Sequence, residues 1–229
     1  MSYTVFAALF VAVPAAAACL NPAPDDAQAV AAAVVGGDPR VFFVKDSNEM
    51  AGCPNGSAAC RAKAYVMNGD VVVATISQGG YRCATFTGPR GTSTTNWLPA
   101  AVIAPLAPKP PAFDDWIGRW VVGEQQITIT SGGKGGALSL KGTATYGGFD
   151  PARVRRGAVN MGDFDAVVTP DGTHIAFTVA GDTIRPYDEG DPMDCRLRLS
   201  VIGPYLIVAD NDNCGGHNVT FSGVYRRKV

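Results

Sequence analysis

The chain has 229 residues, 47% hydrophobic and only 17% charged, with 27 Gly and 16 Pro. Charged content this low excludes a disordered acidic or basic tail and a coiled coil. Nineteen Lys and Arg against twenty Asp and Glu leave a formal charge of −1, so no overall field holds nucleic acid.

Residues 5–18 read VFAALFVAVPAAAA, an apolar stretch of the length of a signal-peptide core and too short to span a bilayer. MSYT before it carries no Lys or Arg, but the small residues at its end suit cleavage, and residues 1–18 are expected to be a removed signal peptide. The expected location is periplasmic or secreted, with no transmembrane segment. Ala16-Ala17-Ala18-Cys19 also resembles a lipobox, with Ala16 where Leu is usual. That secondary reading makes Cys19 a lipid anchor.

Six cysteines, Cys19, Cys53, Cys60, Cys83, Cys195 and Cys214, suit disulfides in an exported chain. Cys195 and Cys214 are alone in the second half and pair with each other or not at all. Cys53 and Cys60 flank the turn-rich PNGSAA. Cys83 then takes Cys19 or stays a buried thiol. No CxxC occurs and there are only two histidines, so neither a metal nor a cofactor is expected.

An Ala-rich segment over residues 25–36, with Asp25 or Asp26 to cap it and Gly36-Gly37 to end it, predicts a short helix. Strands are predicted over residues 41–45, 64–67, 71–76, 81–86 and 97–102. APLAPKPPA at 104–112 has four prolines in nine residues and reads as a semi-rigid linker. About eight strands are predicted beyond it: 116–122, 126–130, 137–146, 164–169, 174–180, 195–202, 205–209 and 219–226. Even spacing implies an antiparallel barrel or a related sandwich. Alternation in CRLRLSV puts Cys195, Leu197, Leu199 and Val201 on one face and both arginines on the other. The expected fold is all-β: a small barrel over 19–103, the linker, and an antiparallel barrel over 113–229.

Gly69-Asp70-Val71, Gly79-Gly80-Tyr81 and Trp97-Leu98-Pro99 together resemble a bacterial SH3-type domain over residues 41–106, with Asn96 in place of the usual Gly before Trp97. The resemblance implies a wall-peptide groove that Tyr81 and Trp97 line. Core packing of both is the alternative. Trp116-Ile-Gly-Arg-Trp120 is similar to the Gly-x-Trp opening of lipocalins, and implies a carrier of a small apolar ligand. The second half also resembles periplasmic lysozyme inhibitors in architecture.

No motif for a nucleophile is present. The run Tyr187–Asp194 holds Asp188, Glu189, Asp191 and Asp194, a solvated loop or an acidic surface for a basic partner. Arg153, Arg155 and Arg156 form a basic counterpart. Asp210-Asn-Asp212-Asn-Cys214 offers hard oxygen donors but breaks the EF-hand pattern, and reads as an Asx-rich hairpin. His217 with Asp194 is the best acid–base pair for a hydrolase, while His174 sits in a separate hairpin. The expected function is an exported, non-enzymatic envelope protein that binds peptidoglycan or a wall-acting protein such as a lysozyme, with Tyr81, Trp97, Asp188, Glu189 and Asp191 as ligand-binding residues.

Overall fold

A computed structural model describes residues 17–36 and 39–228. The signal-peptide expectation falls almost wholly outside them. Two antiparallel sheets account for nearly all regular structure. The first joins β1 (Val30–Val34), β2 (Arg40–Val44), β3 (Arg61–Met67), β4 (Val71–Gln78), β5 (Tyr81–Thr87), β6 (Ser93–Pro99) and β7 (Ile103–Pro105), in the order β3-β2-β6-β5-β4-β1-β7. The second joins β8 (Gly118–Val122), β9 (Gln125–Ser131), β10 (Leu138–Tyr146), β11 (Asn160–Val168), β12 (His174–Ala180), β13 (Thr183–Pro186), β14 (Cys195–Ile202), β15 (Tyr205–Asp210) and β16 (Gly223–Lys228), in the order β11-β10-β9-β8-β16-β15-β14-β12-β13. Two short helices, α1 (Phe113–Trp116) and α2 (Pro151–Arg155), sit in connections.

The fold is all-β, as the strand pattern predicts, with a ninth strand at Thr183–Pro186 that the turn-rich sequence conceals. The second sheet is a nearly closed barrel. Across its open seam, Phe164 of β11 and Phe177 of β12 meet with ring centroids 5.9 Å apart. Phe164 needs room to lie inward: a Cβ on Gly142, its partner on β10, would stand 2.0 Å from the ring. Ile127, Ile129, Leu138, Leu140, Leu197 and Leu199 fill the interior, with Trp116 and Trp120 at one end. On β14 the alternation places Leu197, Leu199 and Val201 inward, as expected.

The helix predicted over 25–36 is instead a turn followed by β1. Ala-rich composition favours a helix only weakly, and tertiary pairing overrides it. β1 bonds β4 on one side and β7 on the other, with Ala32 and Val34 fully buried. Asp26 accepts the Gln28 N–H at 2.9 Å, an Asx turn in place of a helix cap. The strand predicted over 97–102 begins earlier, at Ser93, because hydroxyls pair across it: Thr85 with Thr95 at 2.9 Å, and Thr87 with Ser93 at 3.0 Å. Arg153 and Arg155 lie on α2, capped by Asp150.

Three disulfides form, Cys19–Cys83, Cys53–Cys60 and Cys195–Cys214, the pattern of an oxidising compartment. The first corrects the lipid-anchor reading, because the sulfur that would carry the lipid is bonded to Cys83. Among the described residues no helix is long and apolar enough to cross a membrane.

The halves share a core. The outer face of the barrel at Tyr205, Ile207 and Val224 packs on Val73 of the first sheet, and all four are buried. Thr87 donates to the Val224 carbonyl at 2.6 Å, Gly123 N–H to the Gly91 carbonyl at 2.8 Å, and the Tyr205 hydroxyl to the Val71 carbonyl. Gly203, at φ 57°, turns the chain where a Cβ would stand 2.9 Å from Ala31 Cβ.

Candidate functional site

The two halves leave a cleft of about 660 Å³ beside this shared core. Three stretches build it: the N-terminal segment from Pro24 to Ala31, the proline-rich seam from Leu106 to Pro111, and the barrel rim at Thr173–His174 and Ser200–Gly203. Its volume and its place between the two sheets are typical of small-ligand sites.

The walls are apolar, from prolines, alanines, Val30, Leu106 and Ile202. Proline offers a carbonyl acceptor and no donor, so the seam at Pro108, Pro110 and Pro111 presents acceptors. Asp26 and Asp115 add carboxylates and Lys109 one cation. Asp115 also accepts the Ala112 N–H at 2.8 Å, fixing the end of the seam ahead of α1. Asp25 pairs with Arg198 on the barrel, holding the N-terminal wall in place.

His174 and Ser200 stand directly opposite each other on β12 and β14. His174 Nε2 donates to the Pro24 carbonyl at 3.0 Å, and Nδ1 lies 2.8 Å from the Thr173 hydroxyl. Since the carbonyl is acceptor only, Nε2 carries a proton and donates it there. Both nitrogens make polar contacts, and the ring tethers Pro24 to the barrel rim. Ser200 is 3% exposed, and its Oγ has no hydrogen-bond partner among the described residues. A buried hydroxyl left unpaired costs about 1–3 kcal/mol. Ser200 is one of the residues that line the cleft, and its buried oxygen carries bonding capacity that no described residue uses.

The residues singled out from sequence lie elsewhere. Trp97 is 0% exposed, packed among Cys53, Cys60 and Cys83, with its indole N–H donated to Asp46 at 2.8 Å. That corrects its placement in a ligand groove: the Cys53, Cys60 and Cys83 cluster covers its ring and makes it core. Tyr81 is half-buried against the same cluster. Asp188, Glu189 and Asp191 are all exposed, and Asp188 pairs with Arg196 at 2.9 Å. Asp194 accepts the Asp191 N–H at 2.8 Å, closing the loop on itself.

His217 and Asp194 make no hydrogen bond or ion pair with each other. The His217 backbone carbonyl accepts from Asn160 at 2.6 Å and its side chain is exposed. Asp210 takes the Thr220 and Ser222 hydroxyls at 2.7 and 2.6 Å and the Phe221 N–H at 2.8 Å. It therefore clamps its own loop, the hairpin role that the Asx-rich sequence suggests. Among the described residues no three His, Cys, Asp or Glu side chains are grouped to hold a metal.

Two carboxylates are tuned by structure. For Glu124, burial raises the pKa, but donors from Phe149, Thr145, Gly148 and Gly147 outweigh it and hold the group below the ordinary value. For Asp46, burial again raises, and Asn48, Cys19, Trp97 and Ser47 donors win, so its pKa is lowered too. Neither lies in the cleft.

No family model, curated protein or solved structure matches the chain.

Proposed function

We propose that the protein is an exported, non-enzymatic binding protein of the bacterial cell envelope, and that it takes a short amine-bearing peptide, of the kind that forms peptidoglycan stems, in the cleft between its halves. The observation that carries this reading is a cleft-lining residue, Ser200, whose buried Oγ has no hydrogen-bond partner among the described residues. An apolar trough with surplus acceptors suits a ligand that brings N–H donors, and an extended peptide with a free amine brings many. Three disulfides and the signal-like leader support export. The SH3-type resemblance of residues 41–106 supports the wall as the target.

The test is calorimetric titration with a soluble stem peptide carrying a diamino acid, on the wild type and on Ser200→Ala. Binding to the wild type and at least about tenfold weaker binding to the variant, matching one lost buried hydrogen bond, is expected. Equal affinity, or no heat with either protein, would defeat the assignment.

Inhibition of a wall hydrolase is a second reading. It is favoured by the exposed Glu189 and Asp191 beside Met193, itself 72% exposed, at the tip of one loop. Loss of lysozyme inhibition in Glu189→Gln/Asp191→Asn, with stem-peptide binding unchanged, would separate it from the first.

A further inference from the structure

Asp46 is 6% exposed and lies against the buried Trp97. Its Oδ1 accepts the Asn48 N–H at 2.9 Å and the Ser47 hydroxyl at 3.3 Å. Its Oδ2 accepts the Trp97 indole N–H at 2.8 Å and the backbone nitrogen of Cys19 at 2.9 Å. Among the described residues no Lys, Arg or His nitrogen pairs with it. A buried carboxylate without a cation is costly, and such groups are normally paired.

The surrounding titratable groups do not supply that cation. Glu49 is acidic and accepts the Asp46 N–H at 3.3 Å. Lys45 turns its Nζ to the Ala59 carbonyl at 2.9 Å, and Tyr81 packs on the neighbouring disulfide cluster. Among the described residues, the one nitrogen in contact that can acquire a charge is that of Cys19.

We propose that the chain is cut between Ala18 and Cys19, and that the α-ammonium group so created is the ion-pair partner of Asp46. Hydrolysis by an export peptidase adds one water across the peptide bond, leaving a carboxylate on Ala18 and an amine on Cys19 that is protonated at neutral pH. The site fits the cut: Ala16 and Ala18 are small, Ala17 is exposed and Ala18 half-buried. Cys19 is held twice, through its sulfur to Cys83 and through its nitrogen to Asp46. The first residue of the mature chain is thereby locked into the core of the first sheet. The inference shares with the functional reading only the premise of export.

Intact mass and N-terminal sequencing of the protein exported from its full-length precursor give the first readout, and a chain beginning at Cys19 is expected. The second compares the Cys19-initiated chain with one retaining Ala18, each with and without Asp46→Asn, by urea unfolding at pH 6. The retained residue keeps the Cys19 N–H donor but moves the charge off that nitrogen, one residue away from Asp46. Asp46→Asn is therefore expected to lower the folding constant about tenfold more in the Cys19-initiated chain.

Should the variant fail to fold, the unmutated mature chain still decides. Its α-amine is expected to titrate above the ordinary range of about 7.7–8.0, seen as acylation that sets in at higher pH than for a free amine. A folded pKa raised in this way gives stability that is full below the unfolded value and lost as pH rises through the folded one. A mature chain starting elsewhere, equal Asp46→Asn effects in both chains, or an α-amine with ordinary titration would overturn the proposal. None of these readouts involves a cleft ligand.

Discussion

Replacing Ile207 by Ala probes how the two halves are joined. Ile207 is fully buried on the outer face of β15, against Val73 of the first sheet. The change removes three carbon groups worth about 0.8 kcal/mol each in transfer, about 2.4 kcal/mol in all. An unrelaxed cavity brings the expected loss to about 3–4 kcal/mol. Because the contact belongs to both sheets, it should destabilise both. Trp97 reports the first sheet, while Trp116 and Trp120 report the barrel. Urea unfolding is then followed in two backgrounds, one with Trp97 replaced by Phe and one with both barrel tryptophans replaced. Both reporters should share one transition, and Ile207→Ala should move both midpoints together. Two separate transitions, or movement of the barrel reporter alone, would refute the shared core.

Other expectations follow from local structure. In the chain-entropy model, removing the Cys19–Cys83 bridge, with its sequence separation of 64, should cost about 4.3 kcal/mol; Cys195–Cys214 about 3.3; and Cys53–Cys60 about 2.5. Denaturant midpoints of the Ser pair variants should fall in that order. Glu124 binds the Thr145 hydroxyl at 2.8 Å and the Gly148 and Phe149 N–H groups at 2.8 and 2.9 Å. Its lowered folded pKa contributes stability above the unfolded value near 4.5, lost as pH falls through the folded value. Glu124→Gln should cost about 1–3 kcal/mol at pH 7 and flatten the loss of thermal stability below pH 4.5. Ser200→Ala, which removes an unpaired buried hydroxyl, should leave the melting temperature unchanged or raise it.

Alternation and turn chemistry made the barrel legible. CRLRLSV announces its inward face, and Pro170-Asp171-Gly172 announces the bend before β12. Local signals misled where pairing decides: alanines over 30–34 favour a helix in isolation but form a strand once β4 and β7 flank them. The cleft was harder to see, because it is made by three segments far apart in the chain. Two signals pointed to the covered region around it. Tyr205-Leu-Ile-Val208 is apolar without alternation, the mark of a strand buried on both faces, and both faces are indeed covered. Ser200 follows Arg196 and Arg198 on the outward face of β14, and the switch from charged to small marks where that face becomes covered. Trp97 misled for the opposite reason. An aromatic residue on a strand fits a groove or a core equally well, and only the disulfide cluster around it decides.

The most direct test of the binding assignment is a nuclear magnetic resonance titration of the isotopically labelled mature protein with a soluble, diamino-acid-containing stem peptide. Amide shifts confined to Asp25–Ala31, Leu106–Lys109, Thr173–His174 and Ser200–Gly203, and lost in Ser200→Ala, are the expected result. A spectrum unchanged at millimolar peptide, or shifts centred on Tyr187–Asp194 instead, would contradict the cleft as the binding site.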